Sequence, residues 1–300
     1  PHGKYRSSQL WFVDAKKIKM NLRQLKTLFE GELEAFTSSE KRLFFQRICD
    51  SYFGLKPHEL VLNYDKKVSS YDCDYFDNVL KRLKKHEPIQ YVLEVAYFFG
   101  LEFFVNSDVL IPRPETEELL VWVLKSIDRN KALKILDIGT GSACIAVALA
   151  KQCPNAKIYA MDVSADALKV AKTNAKNNKV SINFIEADII RTEDLTSSFD
   201  VIVSNPPYVR QSEATEMASN VLDFEPALAL FVNDDHPLMF YNAILKILLK
   251  NLSSGGFCFL EINEAFGSEI QALFDLKNFQ NQQLKKDTFG KDRMFKIEKK

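Results

Sequence analysis

The sequence predicts an α/β fold: a Rossmann-like domain with a mostly parallel sheet, preceded by a small helical-bundle domain and joined to it by a β-hairpin. Three observations predict it. The 300 residues exceed what one compact core usually needs. Apolar residues recur at helical spacing up to about Leu93, and from Glu115 short apolar strands alternate with helices. At 46% hydrophobic and 27% charged residues, the chain has the composition of a globular protein, not of a disordered or fibrous one. Forty basic residues balance forty acidic ones, which counts against a protein that grips nucleic acid through its phosphates. No apolar run approaches the roughly 18 residues of a membrane helix, so no membrane association is expected.

Residues 1–19 are polar and basic and show no secretory pattern, and they read as an extension or expression remnant. In residues 20–95, three stripes mark helices: Leu22, Leu25, Leu28 and Phe29; Leu43, Phe44, Ile48, Tyr52 and Phe53; and Phe76, Val79, Leu80 and Leu83. Thr37 to Glu40 reads as a capped helix start, while Gly54 and Pro57 mark breaks. Residues 96–114 turn β-branched and aromatic. Asn106-Ser107-Asp108 then suggests the turn of a hairpin between Tyr97–Val105 and Val109–Ile111. In residues 115–300 the predicted strands are Ile135–Ile138, Lys157–Met161, Ile182–Ile185, Val201–Val203 and Gly256–Ile262, with a closing pair near Gln283 and Arg293–Ile297. Helices are predicted over Ile145–Ala150, Ala165–Lys176 and Leu238–Leu252. Five scattered cysteines and four histidines form no metal or disulfide pattern, so buried reduced thiols in a cytoplasmic protein, and no metal, are expected.

Ligands of such sheets bind at the carboxyl ends of the strands, and the notable motifs fall there. Gly139-Thr140-Gly141 follows the first strand, where glycines permit a sharp turn and close approach of a ligand. A tight turn without a ligand would look the same. Asp162 ends the second strand about 20 residues later, placed to accept both hydroxyls of a ribose. A dinucleotide fingerprint wants a third glycine where Cys144 stands, so S-adenosylmethionine is the better-fitting cofactor. Asp188 and Ile189, after the third strand, could grip an adenine edge and face, although Asp188 would serve equally as a surface turn residue.

The most specific motif is Asn205-Pro206-Pro207-Tyr208, after the fourth strand. Prolines end a strand, but the flanking residues supply what methylation of a planar NH₂ group needs. The Asn205 side-chain oxygen and the Pro206 backbone carbonyl can accept both hydrogens of the nitrogen, and Tyr208 offers a flat face for stacking. Held this way, a delocalised lone pair is directed at the methyl donor, and positive charge growing on nitrogen is stabilised without a strong base.

With these motifs, the chain resembles the glutamine-N5 methyltransferases of peptide chain release factors, the HemK/PrmC family, from about Met20 to its end. The resemblance is carried by Glu87-Pro88-Ile89-Gln90-Tyr91, by Val109 to Glu117 with its Pro112-Arg113-Pro114-Glu115-Thr116-Glu117 core, by the glycine turn, by the Asn-Pro-Pro-Tyr tetrad and by Phe224 to Leu230. It implies a class I S-adenosylmethionine-dependent methyltransferase, producing S-adenosylhomocysteine, that acts on the Gly-Gly-Gln glutamine of class 1 release factors. It further implies that Gly139, Thr140, Gly141, Asp162, Asp188, Ile189 and Asn205 line the cofactor site. Asn205, Pro206, Pro207 and Tyr208 would hold the glutamine amide, with Arg113, Glu115 and Thr116 supporting the mouth and residues 20–95 docking the factor.

Three departures from the family pattern stand out. Ala143 replaces a usual glycine and would add a methyl beside the cofactor, Glu94 replaces another, and Val232 to His236 replaces a glycine-rich turn. A rival reading, an exocyclic-amine methyltransferase of adenine or guanine in DNA or RNA, could use the same tetrad. Charge opposes it: residues 20–95 hold 12 basic and 12 acidic residues, and residues 96–300 hold 23 and 27. The neutral surface and lack of heptads point to a monomer.

Overall fold

A computed structural model of the chain describes residues 20–300; the expected extension, 1–19, lies outside the described residues. The chain divides into two compact units, with the break between Leu93 and Glu94.

In the first unit the described residues form α1 (Leu22–Glu32), α2 (Ser38–Phe53), α3 (Pro57–Leu62), α4 (Ser70–Leu83) and α5 (Ile89–Leu93). Asn21 with Gln24, Thr37 with Glu40, and Ser69 with Asp72 form reciprocal caps at the starts of α1, α2 and α4. Phe29, Phe45 and Phe76 meet at ring distances of 5.6–6.0 Å and centre the core. The α1 and α4 stripes are buried as read, with Leu28 only partly so. The α2 stripe is shifted. Phe45, Ile48 and Cys49 are buried, whereas Leu43 and Tyr52 are 45% and 39% exposed. Leu43-Phe44-Phe45 allows two apolar faces, and packing of Phe45 against Phe29 and Phe76 selects one.

The second unit opens with a hairpin that differs from the predicted one. Its strands are β1 (Val95–Phe98) and β2 (Leu101–Phe104), paired antiparallel around Phe99-Gly100. Phe99 and Gly100 have φ of +51° and +74°, the hand that a two-residue turn requires, and the Phe99 amide donates to Glu117 Oε1 at 2.7 Å. Gly100 inside the aromatic run is therefore the turn. Asn106 instead makes a short Asx turn, after which Val109–Ile111 runs on without pairing as a strand.

Then follow α6 (Pro114–Ser126), β3 (Lys134–Ile138), α7 (Cys144–Gln152), β4 (Lys157–Asp162), α8 (Ala165–Asn177), β5 (Asn183–Glu186) and β6 (Phe199–Ser204). The chain continues through the two-residue β7 (Val209–Arg210), α9 (Ser219–Phe224), α10 (Ala227–Leu230), β8 (Phe231–Val232), α11 (Met239–Asn251), β9 (Leu252–Glu261), α12 (Gly267–Leu273), β10 (Phe279–Lys286) and β11 (Asp292–Lys299). Seven strands form one sheet in the order β10-β11-β9-β6-β3-β4-β5. The five from β9 to β5 run parallel, and β11 and β10 add antiparallel. The central strands β3 and β6 are buried on both faces, which is why Val201–Val203 reads as an unbroken apolar run and Ile135–Ile138 as one interrupted only by Asp137. Close packing of β9 on β6 fixes Gly256, where a Cβ would stand 2.9 Å from the Asp200 carbonyl oxygen. Successive strands step outward from β3 to β5, then cross back to β6 on the other side of β3. That reversal opens a crevice between the ends of β3 and β6.

Candidate active site

A cavity of about 400 Å³ occupies this crevice. The ends of β3 and β6 are tied by Ser204, whose hydroxyl donates to the Ile138 carbonyl at 2.8 Å. Of the residues singled out in the sequence, Gly139, Gly141, Asp162, Asp188, Ile189, Asn205, Pro206 and Pro207 all line it. Gly139 and Gly141 have φ of +70° and +51°, and a Cβ on Gly139 would lie 4.0 Å from the Asn205 carbonyl oxygen. Asp162 braces the turn: its Oδ2 accepts from the Gly141 amide at 2.8 Å and its Oδ1 from Ser164 at 2.9 Å. Asp188 accepts from the Ile190 amide at 2.9 Å, and its other oxygen pairs with Arg191 at 3.3 Å. It is thus both a turn residue and part of the lining.

Thr140 does not line the cavity. It is buried, and its hydroxyl donates to Asp137 Oδ2 at 2.6 Å beneath the turn. Asp137 itself is buried, and its carboxyl is pushed up to about 7 by loss of solvent, against the lowering pull of that hydroxyl. Ala143 is fully buried and also absent from the lining, so its extra methyl does not face the cavity as the sequence suggested. Its cost is conformational instead, because Ala143 caps α7 at φ +62°. Glu94, at φ +55°, likewise occupies a glycine-type conformation at the base of the hairpin, where its carbonyl accepts from Val105. The third departure keeps its loop through Asn233, whose side chain accepts from the Asp235 amide at 2.9 Å.

A second recess of about 280 Å³ shares Asn205 and Pro206 and adds Arg113, Tyr208 and Glu261. Sequence reasoning missed Glu261, although an acid closing the apolar run Phe257-Cys258-Phe259-Leu260 was a signal. Glu261 is 1% exposed. Its two oxygens accept from Thr116 Oγ1 at 2.7 Å and from the Tyr208 hydroxyl at 2.9 Å. Burial raises its pKa, opposed by these two donors and by Arg293. Burial and Glu261 likewise hold the Tyr208 phenol well above its ordinary value, so it stays protonated. Asn205 Nδ2 donates to Thr116 Oγ1 at 3.1 Å. Arg293, held by Asp287, lies 5.8 Å from the centre of the Tyr208 ring. Thr116 thus sits behind the tetrad and not at a mouth, and Glu115 lines neither recess. Arg113 pairs at 2.6 Å with Glu225, which also accepts from the Ile111 amide at 3.2 Å.

The five cysteines are buried and free, and no cluster that could hold a metal occurs among the described residues. No described helix is long and apolar enough to cross a membrane.

Comparison with known proteins places this arrangement. Residues 116–230 match the family described as "Methyltransferase small domain", and residues 26–93 match the "PrmC N-terminal domain". A release factor glutamine methyltransferase of Flavobacterium psychrophilum is 48% identical over 282 residues, covering 93% of this chain and 99% of that protein. One from Bacteroides thetaiotaomicron is 39% identical, covering 87% and 94%. Among solved structures, the hMettl16 catalytic domain aligns with a TM-score of 0.52 at 14% identity, over 75% of this chain and 80% of that one. A methyltransferase from Pyrococcus furiosus gives 0.50 at 20% identity, over 67% and 90%. These two show the fold alone. The sequence relatives go further: the chain belongs to the release factor glutamine methyltransferase family.

Proposed function

We propose that the protein methylates the side-chain amide nitrogen of the glutamine in the Gly-Gly-Gln loop of class 1 peptide release factors, using S-adenosylmethionine. One observation carries this reading: the cavity at the glycine turn and the recess at Tyr208 meet at Asn205 and Pro206, which line both. The larger cavity fits such a cofactor. It combines a turn that presents only its glycines, a carboxylate at the end of β4, and apolar walls that include Ile189, Phe240 and Ile244. Asp162 would hold the ribose hydroxyls, and Asp188 with Ile189 the adenine. The bound cofactor supplies an electrophilic methyl group.

The chain's own residues do the rest. The Asn205 side-chain oxygen and the Pro206 carbonyl accept the two hydrogens of the glutamine NH₂, which orients the nitrogen and stabilises its growing positive charge. Tyr208, anchored through its hydroxyl, keeps its ring fixed against the planar amide. Residues 20–95 are assigned to holding the protein substrate.

The test uses purified release factor, tritiated S-adenosylmethionine and parallel DNA and RNA substrates. Label is expected on the factor, and none on nucleic acid or on a factor whose loop glutamine is replaced; the reverse pattern would refute the assignment. Asn205→Ala is expected to abolish turnover while changing S-adenosylhomocysteine affinity by no more than about 1–3 kcal/mol, the worth of one acceptor.

A further inference from the structure

We propose that Glu261 and Thr116 are positioning residues that fix which end of the Asn205 carboxamide meets the substrate. The proposal rests on the assignment of Asn205 as an acceptor for a substrate NH₂ group.

A carboxamide can turn over at little steric cost, because its oxygen and nitrogen are nearly the same size. One orientation presents an acceptor to the substrate. The other presents a donor, which would repel the hydrogens of an NH₂ group. Something must therefore choose. The choice is made by a run of hydrogen bonds whose direction is set at its far end. Each oxygen of Glu261 faces a hydroxyl donor, and those donors and the Arg293 charge favour the carboxylate against its burial. A carboxylate has no proton to give, so in that form each oxygen only accepts. The Thr116 hydroxyl, 2.7 Å from Glu261 Oε2, must spend its single proton there. Toward Asn205 the Thr116 oxygen then has only lone pairs, so the group facing it at 3.1 Å must be the Asn205 NH₂. The Asn205 oxygen is left for the substrate.

The other Glu261 oxygen is occupied in the same sense. Arg293 Nη1 approaches the Tyr208 oxygen at 3.4 Å, and the phenol proton goes to Glu261 Oε1 at 2.9 Å. Thr116 is 3% exposed and Glu261 1%, so water does not compete for these bonds. The run joins residues 145 and 89 positions apart, from α6, β9 and the loop after β6.

Thr116→Val keeps the shape of the side chain and removes only the hydroxyl. Expected is a fall in kcat of about tenfold or more, with KM for the release factor and calorimetric affinity for S-adenosylhomocysteine within about twofold of wild type. Thr116→Ser restores the hydroxyl and should recover most of kcat. A residue that merely packs would behave oppositely, with Val better than Ser. Glu261→Gln, matched in size, exchanges one acceptor for a donor and should also lower kcat with cofactor affinity unchanged; it carries the test if Thr116→Val fails to fold. Wild-type kcat should fall on acidification as Glu261 takes up a proton, under the influence of Arg293 on β11, Glu115 on α6, and the Tyr208 and Tyr241 phenols. Wild-type kcat in folded Thr116→Val, or Ser no better than Val, overturns the proposal, as does an unchanged kcat in Glu261→Gln. Wild-type enzyme inactive on the release factor would instead overturn the functional assignment.

Discussion

Ala143 shows how a single backbone angle explains a residue preference. At φ +62° a side chain with a Cβ costs about 1–2 kcal/mol, so glycine would be the easier choice. Two effects oppose it: glycine adds about 0.4–1 kcal/mol of unfolded-state entropy, and the buried methyl contributes about 0.8 kcal/mol. The terms nearly cancel. Ala143→Gly is therefore expected to shift unfolding free energy by less than about 1 kcal/mol in urea titrations. The same exchange at Ala146, equally buried but within α7, gains nothing from strain relief and should cost about 2 kcal/mol. Equal losses at the two positions would show that the left-handed angle is not what distinguishes them. Cofactor affinity should stay near wild type in Ala143→Gly, because the methyl does not reach the cavity.

Between elements, the stretches that carried the family resemblance explain one another. Arg113 precedes α6 and Glu225 precedes α10, and their pair ties the Pro-Arg-Pro-Glu segment to the Phe-Glu-Pro segment 112 residues later. The Glu225 side chain is 1% exposed and that of Arg113 31%, so removing the arginine strands a buried carboxylate. Arg113→Met should cost about 2–3 kcal/mol in urea unfolding, and adding Glu225→Gln should recover most of it. Additive losses in the double variant would refute the coupling. This pair also marks what a sequence conceals. Each motif was legible because its residues are neighbours in the chain: the glycine turn, the tetrad, and the apolar runs of β3 and β6. Glu261 was not, since its partners lie 145 and 53 residues away and nothing local says where its carboxylate points. The hairpin was misplaced because an aromatic run hid Gly100 as a turn, and β7 and β8, two residues each, leave too little pattern to read.

For the molecule as a whole, the buried Asp137 ties folding stability to pH. Its carboxyl ionises near 7 when folded, against an ordinary 3.8. Below about pH 4 both folded and unfolded chains keep the proton, and the group costs nothing. Between about 4 and 7 the unfolded chain releases its proton while the folded chain retains it, so stability falls as pH rises. Above about 7 both are ionised and the penalty is constant, at roughly 4 kcal/mol for a shift of about three units. Asp287 and Glu213, whose pKa values are lowered, push the other way, being stabilising once ionised and losing that effect as pH falls. The net curve therefore mixes several groups, and a difference isolates one. Asp137→Asn cannot ionise but still offers an oxygen to the Thr140 hydroxyl. Measured by urea unfolding from pH 5 to 8, the variant should gain on wild type by a few kcal/mol as pH rises, then level off. A gap between the two proteins that stays the same across that range would mean that Asp137 is ionised at every pH tested, and that the floor beneath the glycine turn carries a full charge.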